Sequence, residues 1–381
     1  MSVTLRLARS AAWPRRAAIT AVFFSNGLGI GAWAAAIPLL KLRLALSDGE
    51  LGFVLFAFMA GAALAMVGAV HMSGRMGLAG ATRVAALGFA AALALPAFAG
   101  GLSWLAAAAF VVGFANGLLD VTMNAFASHV EARWGAAIMS SFHAGFSAGG
   151  LAGAALGGLL AAFGAGWTLG AAEVFGLATV AVSWRWLRDG EAAPETAEPG
   201  LSLPILAALP LCTVGLLCAI CEGAMADWTG VYLADVVRVS PVTAASGYAA
   251  FSAAMVLGRL FGDGVVRRWG RVQVMRRGSA LAAFGLALAV FAPALGTSIV
   301  GFALVGIGLS NVVPAVFSLA AGLTTAPAVG VAMAATAGYT GMLGGPAVIG
   351  AIAQSAGLRA GMGFLILCAL AAVAASRRLR D

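Results

Sequence analysis

Residues Gly49–Met72 read GELGFVLFAFMAGAALAMVGAVHM, and beyond Glu50 the run contains no Asp, Glu, Lys or Arg. Its apolar side chains do not alternate with polar ones, as the strands of a membrane barrel must. A helix needs ~20 residues to cross ~30 Å of hydrocarbon, so this run predicts one transmembrane helix. The same pattern recurs to the end of the chain. Of 381 residues, 62% are hydrophobic and 9% charged, whereas soluble domains carry roughly 25% charged residues. At a mean hydropathy of +1.00, a globular core of this length cannot bury the apolar side chains, and lipid must solvate the remainder. A water-soluble enzyme and a disordered chain are both excluded. The 52 glycines follow no Gly-X-Y period and fit closely packed transmembrane helices instead.

Breaks at Gly, Pro or charge divide the chain into twelve helical spans, at 17–40, 49–72, 80–100, 103–128, 138–163, 167–187, 205–234, 243–266, 273–294, 297–321, 328–355 and 358–376. The first follows Arg15 and Arg16 but is longer than the apolar region of a signal peptide, so it is expected to be retained. Near the midpoint lies one polar connection, Arg188 to Ser202, containing Asp189, Glu191, Pro194, Glu195 and Glu198. It reads as a linker at 188–203 between an N-terminal six-helix bundle, 1–187, and a C-terminal one, 204–381. The expected fold class is therefore an all-α polytopic membrane protein with two pseudo-symmetric six-helix bundles. A shift of 193 residues superposes Ser47 on Ser240, Phe58 on Phe251, Arg75 on Arg268, Gly77 on Gly270 and Gly145 on Gly338. One shift that aligns equivalent spans points to a duplicated unit, and parallel repeats of this size are a transporter architecture.

With the N-terminus placed in the cytoplasm, only Lys41, Arg43, Arg238 and Arg359 of the 22 Lys and Arg residues fall on the outside. That bias predicts cytoplasmic termini and a cytoplasmic linker. The net charge of +8 thus reflects orientation. No basic stripe interleaved with aromatics and no soluble stretch is present to hold a nucleic-acid domain. Cys212, Cys218, Cys221 and Cys368 lie within apolar runs, which leaves no exposed disulfide framework, and the Cys218–Cys221 pair lacks the second pair or histidine of a metal site. No metal, cofactor or phosphate loop is expected, so ATP does not drive this chain.

Gly258-Arg259-Leu260-Phe261-Gly262-Asp263, followed by Arg267, Arg268, Trp269, Gly270 and Arg271, resembles the Gly/Asp/Arg signature that the major facilitator superfamily carries after the second helix of each half. The first half keeps only Gly74-Arg75-Met76-Gly77, without the aspartate. Together with Asp120-Val-Thr-Met-Asn124, Ser141-Phe-His143 and Glu222-Gly-Ala-Met-Ala-Asp227-Trp228, the whole chain is similar to the YbjJ-like, fucose-permease-related bacterial branch. The resemblance implies a proton-coupled carrier of sugars or other small polar solutes, or an efflux protein, in the bacterial inner membrane. It also implies that the first, fourth, seventh and tenth helices line a central cavity. The fucose permease pattern has an acid in the first span, where this chain has Asn26.

In the fourth span Asn116, Asp120, Asn124 and Ser128 recur every four residues and share one broad helix face. A charge at the bilayer centre costs ~3 kcal/mol, so Asp120 is expected to face water or a partner. Interhelical hydrogen bonding that only ties the bundle together fits Asn and Ser as well. His143, near the cytoplasmic end of the fifth span, lies at a depth that allows pairing with Asp120. In the seventh span Glu222 is nearer the bilayer interior and Asp227, beside Trp228, nearer the outer surface. Low dielectric favours the neutral carboxyl, so Glu222 can load and release a proton as solvent access changes. The alternative is a structural carboxyl that locks this helix to a neighbour.

Proton coupling is accordingly assigned to Asp120 and Glu222, and contact with a small-molecule substrate to Asn26, Asn116, Asn124, His143, Asp227, Trp228 and Asn311. The resemblance makes Arg75, Arg259, Asp263 and Arg268 a cytoplasmic gate; plain positive-inside arginines are the alternative. Trp33, Trp228 and Tyr232 either stack on a sugar ring or anchor at the interface. Gly145, Gly149, Gly153 and Gly157 form a small-residue ladder in the fifth span, with Gly341, Gly344, Gly345 and Pro346 as its counterpart in the eleventh. The resemblance implies a sliding contact between the halves there, and static packing fits the residues equally.

Gly145-Phe-Ser147-Ala-Gly149 spells the GxSxG of a serine hydrolase, but a nucleophile elbow needs a strand-to-helix turn that this glycine ladder does not predict. The expected function is therefore not enzymatic. It is secondary active transport of a small solute by alternating access, coupled to protons. The alternatives are a drug or metabolite efflux carrier, and a membrane receptor that keeps the fold without transport.

Overall fold

The computed structural model describes residues 3–134, 138–188, 205–322 and 327–380. The helices in chain order are α1 Val3–Arg43, α2 Asp48–Ala92, α3 Leu102–Trp134, α4 Met139–Leu160, α5 Ala165–Ser183, α6 Ile205–Asp235, α7 Pro241–Ala244, α8 Ser246–Trp269, α9 Arg271–Phe291, α10 Leu295–Leu309, α11 Val312–Gly322, α12 Pro327–Ala356 and α13 Leu358–Ser376. Ten stretches among the described residues are long and apolar enough to cross a membrane. One of them, Asp48–Phe98, has 51 residues and breaks at Gly77, whose φ of 73° and ψ of 167° are not helical, so it serves two passes. With α12, of 30 residues, the twelve spans are complete.

Several ends differ from the sequence expectation, each for a local reason. The first helix begins at Val3 and runs through Pro14. The third span stops at Ala92 and continues as a 3-10 turn, Leu95–Phe98, with Pro96 near its start, because proline lacks the N–H that α-helical pairing requires. The tenth span divides into α10 and α11 at Ser310 and Asn311. Pro314 follows, and its ring removes the N–H that would pair with the Ser310 carbonyl. Apart from Arg188, the linker expected at 188–203 lies outside the described residues.

The chain divides into two compact units, Met1–Leu44 with Ala57–Pro194, and Ala45–Phe56 with Glu195–Asp381. The duplication is written into the backbone. The positive-φ residues are Ala45 and Arg238, Gly77 and Gly270, and Gly164 and Gly357, and each pair is separated by 193 positions. Gly77 and Gly270 share nearly the same dihedrals, with φ 73° and 78° and ψ 167° and 162°. Ser47 closes a capping box with Glu50, whose carboxylate accepts from the Ser47 N–H at 2.9 Å. Its repeat mate Ser240 accepts from the Thr243 N–H at 3.3 Å. A Cβ on Gly113 would lie 1.8 Å from the Phe58 carbonyl oxygen, and one on Gly306 would lie 2.4 Å from that of Phe251, so the same close approach is built twice.

Extended ψ with positive φ is accessible to glycine and almost nothing else. Gly77→Ala and Gly270→Ala are each expected to cost about 1–3 kcal/mol and to lower the thermal unfolding midpoint of the detergent-solubilised protein. Gly88→Ala, where a Cβ meets nothing within 4 Å inside α2, should be neutral or stabilising. Equal midpoints for all three variants would refute this account of the two turns.

The glycine ladder of α4 packs on α1, inside the first unit. A Cβ on Gly149 would sit 2.0 Å from the Phe24 carbonyl oxygen, and one on Gly153 would sit 2.0 Å from that of Leu28. From the other side, Gly27 faces the Phe146 carbonyl oxygen at 1.9 Å and Gly31 that of Gly150 at 2.2 Å. In the second unit Gly341 of α12 meets the Leu216 carbonyl oxygen of α6 at 2.3 Å. The ladder is thus a packing seam between backbones of one unit, in keeping with the static packing that its residues also fit. Glycine at these positions allows so close an approach.

Candidate functional site

In the second unit, Arg259 of α8 points Nη2 at Glu222 Oε1 of α6 across 3.6 Å, with side chains 16% and 23% exposed. Two expected groups, the coupling carboxylates and the gate arginines, therefore meet in one ion pair. The position of α8 is set from the helix break in the tenth span. Asn311 Nδ2 donates to the Gly258 carbonyl at 2.9 Å and to Ser310 Oγ at 2.9 Å. This seating requires glycines on α8, since a Cβ on Gly258 would be 2.3 Å from Ser310 Oγ and one on Gly262 would be 1.9 Å from Asn311 Oδ1. Asn311, expected as a substrate contact, thus hydrogen-bonds the backbone residue next to Arg259.

Further along α6, Asp227 is partly buried and in no ion pair among the described residues. Trp228 is fully buried. Tyr232, also fully buried, donates its hydroxyl to the Ala289 carbonyl at 2.8 Å and meets Phe302 edge-on, so it ties α6 to its neighbours. The thiols of Cys218 and Cys221 are buried and unbridged. Cys218 Sγ lies 3.5 Å from Ser279 Oγ, and Cys221 donates to the Leu365 carbonyl at 3.6 Å.

In the first unit, Asn26 of α1 donates Nδ2 to Asn116 Oδ1 of α3 at 2.8 Å; Asn26 is only 2% exposed. Two turns along α3, Asn124 Nδ2 donates to the Asp120 carbonyl at 2.8 Å and to its carboxylate at 3.1 Å. The His143 ring lies edge-on to Phe23 with centroids 5.4 Å apart, and Trp33 stacks on Phe58 at 5.6 Å. Ser128, the last member of the expected polar face, is exposed. Ser147 is buried within α4, away from any strand-to-helix turn. Of the expected gate, Arg75 and Arg268 are exposed and unpaired among the described residues, while the side chain of Asp263 lies outside the described ones.

The two polar pairs break the repeat that frames them. The 193-residue shift places Glu222 on Gly29 and Arg259 on Met66, and Asn26 on Ala219 and Asn116 on Leu309. Neither pair exists twice, although the glycines and caps around them do. Sequence reasoning missed the Glu222–Arg259 pairing, because it placed the two residues in separate groups. The available signal was the spacing of Gly258 and Gly262, one turn apart and flanking Arg259, together with Pro314 marking a helix break opposite.

The Asn26–Asn116 bond joins two helices at lipid depth, where such bonds contribute about 0.6 kcal/mol on average and ~1.7 kcal/mol at most. A double-mutant cycle of Asn26→Ala and Asn116→Ala, read by thermal unfolding, is expected to show a coupling of about that size. Strict additivity would mean that the bond does not stabilise the unit.

The sequence model of the Major Facilitator Superfamily matches residues 19–345 of the chain. An uncharacterized MFS-type transporter of Yersinia pestis is 36% identical over 363 residues, covering 93% of each chain. Membrane protein MosC of Rhizobium meliloti is 34% identical over 374 residues, covering 95% of this chain and 90% of its own. Among solved structures, a mutant of the nucleoside transporter NupG aligns with a TM-score of 0.77 at 12% identity, over 96% of this chain and all of that one. An inward-facing bacterial homologue of the human lysosomal transporter Spinster aligns with a TM-score of 0.74 at 15% identity, over 99% and 98% of the two chains. At these identities the structural likeness shows the fold.

Proposed function

The chain belongs to the major facilitator superfamily, and on that footing we propose that it is a proton-coupled secondary transporter of a small polar solute, working by alternating access in the bacterial inner membrane with both termini in the cytoplasm. The observation that carries the coupling is the Glu222–Arg259 pair, an ionisable contact between α6 and α8 that the internal repeat does not duplicate. An ion pair at lipid depth is held against the cost of desolvating both charges. When a proton neutralises Glu222, the attraction to Arg259 is lost and the two helices are free to separate; when the proton leaves, the pair closes again. Proton loading is thereby linked to a helix contact. That link is what a coupled carrier needs, since a ligand shifts a conformational equilibrium only through different interactions with its two states.

Cargo contacts are assigned to Asn26, Asn116, Asn124 and His143 of the first unit and to Asp227 and Trp228 of α6, while the Asp120 carboxylate stays with Glu222 as a second proton-coupling candidate. Amide and carboxylate groups of this kind suit hydroxyl-rich solutes such as sugars, polyols or nucleosides, each hydroxyl both donating and accepting. Asn311 is assigned here to positioning α8. Arg75, Arg268 and Asp263 remain the proposed cytoplasmic gate, by the resemblance of their motif to the family signature. The orientation rests on the arginine distribution along the sequence.

The test is reconstitution in liposomes that enclose a pH-sensitive dye, with sugars, polyols, nucleosides, organic acids and lipophilic cations offered in turn. Substrate-triggered proton movement supports coupled import or export, the direction being read from the sign of the pH change. Counterflow without proton movement would replace coupling with facilitated diffusion. Binding without counterflow would favour a receptor.

A further inference from the structure

Where α1, α3 and the segment after α5 meet in the first unit, Arg15, His129, Arg133 and Arg188 line a shallow recess, floored by the buried side chains of Phe126 and Val130. Its polar lining is basic throughout. Arg15, Arg133 and Arg188 form no ion pair among the described residues. Neighbouring arginines are occupied: Arg16 lies over Trp13 and Trp134, 5.4 and 4.6 Å from their ring centroids, and reaches Ser141 Oγ at 3.4 Å. Arg83 covers Trp184 at 4.9 Å and donates to the Leu187 carbonyl. Three permanently charged guanidiniums around one recess favour an anion among them.

The level of the recess narrows the choice of anion. Arg15 stands at the start of the span Trp13–Arg43, Arg133 just beyond the end of Leu102–Glu131, and Arg188 one turn past Ala165–Ser183. The recess therefore lies at the level where spans end, with the exposed rings of Trp13 and Trp184 in the position of interfacial anchors. Lipid phosphates occupy that level, and basic pockets between helix ends suit their headgroups. An arginine fork matches phosphate oxygens with two parallel hydrogen bonds.

We propose that Arg15, Arg133 and Arg188, with His129, form a binding site for a phosphate-bearing anion, and that an anionic lipid headgroup is its source. The full-length protein, purified in mild detergent, is incubated with cardiolipin, phosphatidylglycerol or phosphatidylcholine, and bound lipid is read by native mass spectrometry and by the unfolding midpoint. Anionic lipid should be retained, and should raise the midpoint, in a manner that weakens with salt; phosphatidylcholine should do neither. Each of Arg133→Gln and Arg188→Gln, both at exposed positions that tolerate substitution, should weaken retention about tenfold. Arg15→Gln combined with them should abolish it. Parallel samples receive inorganic phosphate or glycerol phosphate in place of lipid. Protection by these that vanishes in the arginine variants supports the site with a soluble phosphate as its source. Undiminished lipid retention in the arginine variants overturns the proposal, as does equal loss in a control carrying Arg377→Gln, Arg378→Gln and Arg380→Gln.

Discussion

Glu222→Gln is expected to abolish substrate-driven proton movement in proteoliposomes while leaving substrate counterflow measurable. The substitution keeps the shape of the side chain and removes the titrating carboxylate of the Glu222–Arg259 pair, so a proton can no longer control that pair. It also removes the charge of Glu222 from beside Arg259. For fully buried pairs, loss of one partner costs about 3–5 kcal/mol; here both side chains keep some exposure, 23% and 16%, and the penalty should be smaller. Folding is therefore expected to survive. Arg259→Gln should disturb coupling as well, because Glu222 would lose the charge that draws its proton off. The double variant should fold better than the sum of the single costs predicts, since neither charge is then stranded. If Glu222→Gln moves protons normally while Asp120→Asn does not, the coupling carboxylate is Asp120 and the Glu222–Arg259 pair is structural.

The largest effect on stability is expected from Gly153→Leu. The new Cβ would fall 2.0 Å from the Leu28 carbonyl oxygen, a backbone atom of a helix that also approaches α4 at Gly27 and Gly31. No rotamer relieves a clash at Cβ, so the two backbones must move apart along the whole seam. Overpacking a well-packed core costs typically 1–3 kcal/mol, occasionally more; against backbone on both sides, about 3 kcal/mol or more is expected. The readout is the monodisperse fraction in size-exclusion chromatography and the unfolding midpoint. Gly170→Leu is the matched control, since its Cβ meets nothing within 4 Å. Similar profiles for the two variants would show that the seam is looser than its geometry indicates. Gly341→Leu, at 2.3 Å from the Leu216 carbonyl oxygen, should repeat the effect in the second unit.

Much of this molecule is legible in local chemistry. Apolar runs longer than a bilayer crossing, broken by Gly, Pro or charge, are readable one span at a time, and Gly49–Met72 needs nothing beyond itself to be identified as a helix in lipid. The internal repeat is also a property of the chain, since the 193-residue shift already aligns Ser47, Gly77 and their mates. What it does not display is that Ala45 and Arg238, unlike in chemistry, both take a positive φ, 50° and 62°. Their side chains carry no turn signal, and only the repeated fold places both at positive φ.

Pairing across helices lies outside the sequence for a different reason. In a soluble helix the polar face marks the outside, so hydropathy gives the rotation; here nearly every face is apolar, and rotation, tilt and depth are settled by how backbones pack. The partner of the α4 glycines was undetermined until α1 was seen 2.0 Å away from their added Cβ atoms. Likewise, Glu222 and Arg259 are 37 residues apart, on helices whose relative register depends on Asn311 seated over Gly258 and Gly262. The sequence by itself determined a helical, twice-repeated membrane protein and the residues able to carry a proton. Tertiary structure alone decided which of them meet, because helices solvated by lipid hold their partners through close steric fit and a few polar contacts, neither of which leaves a period along the chain.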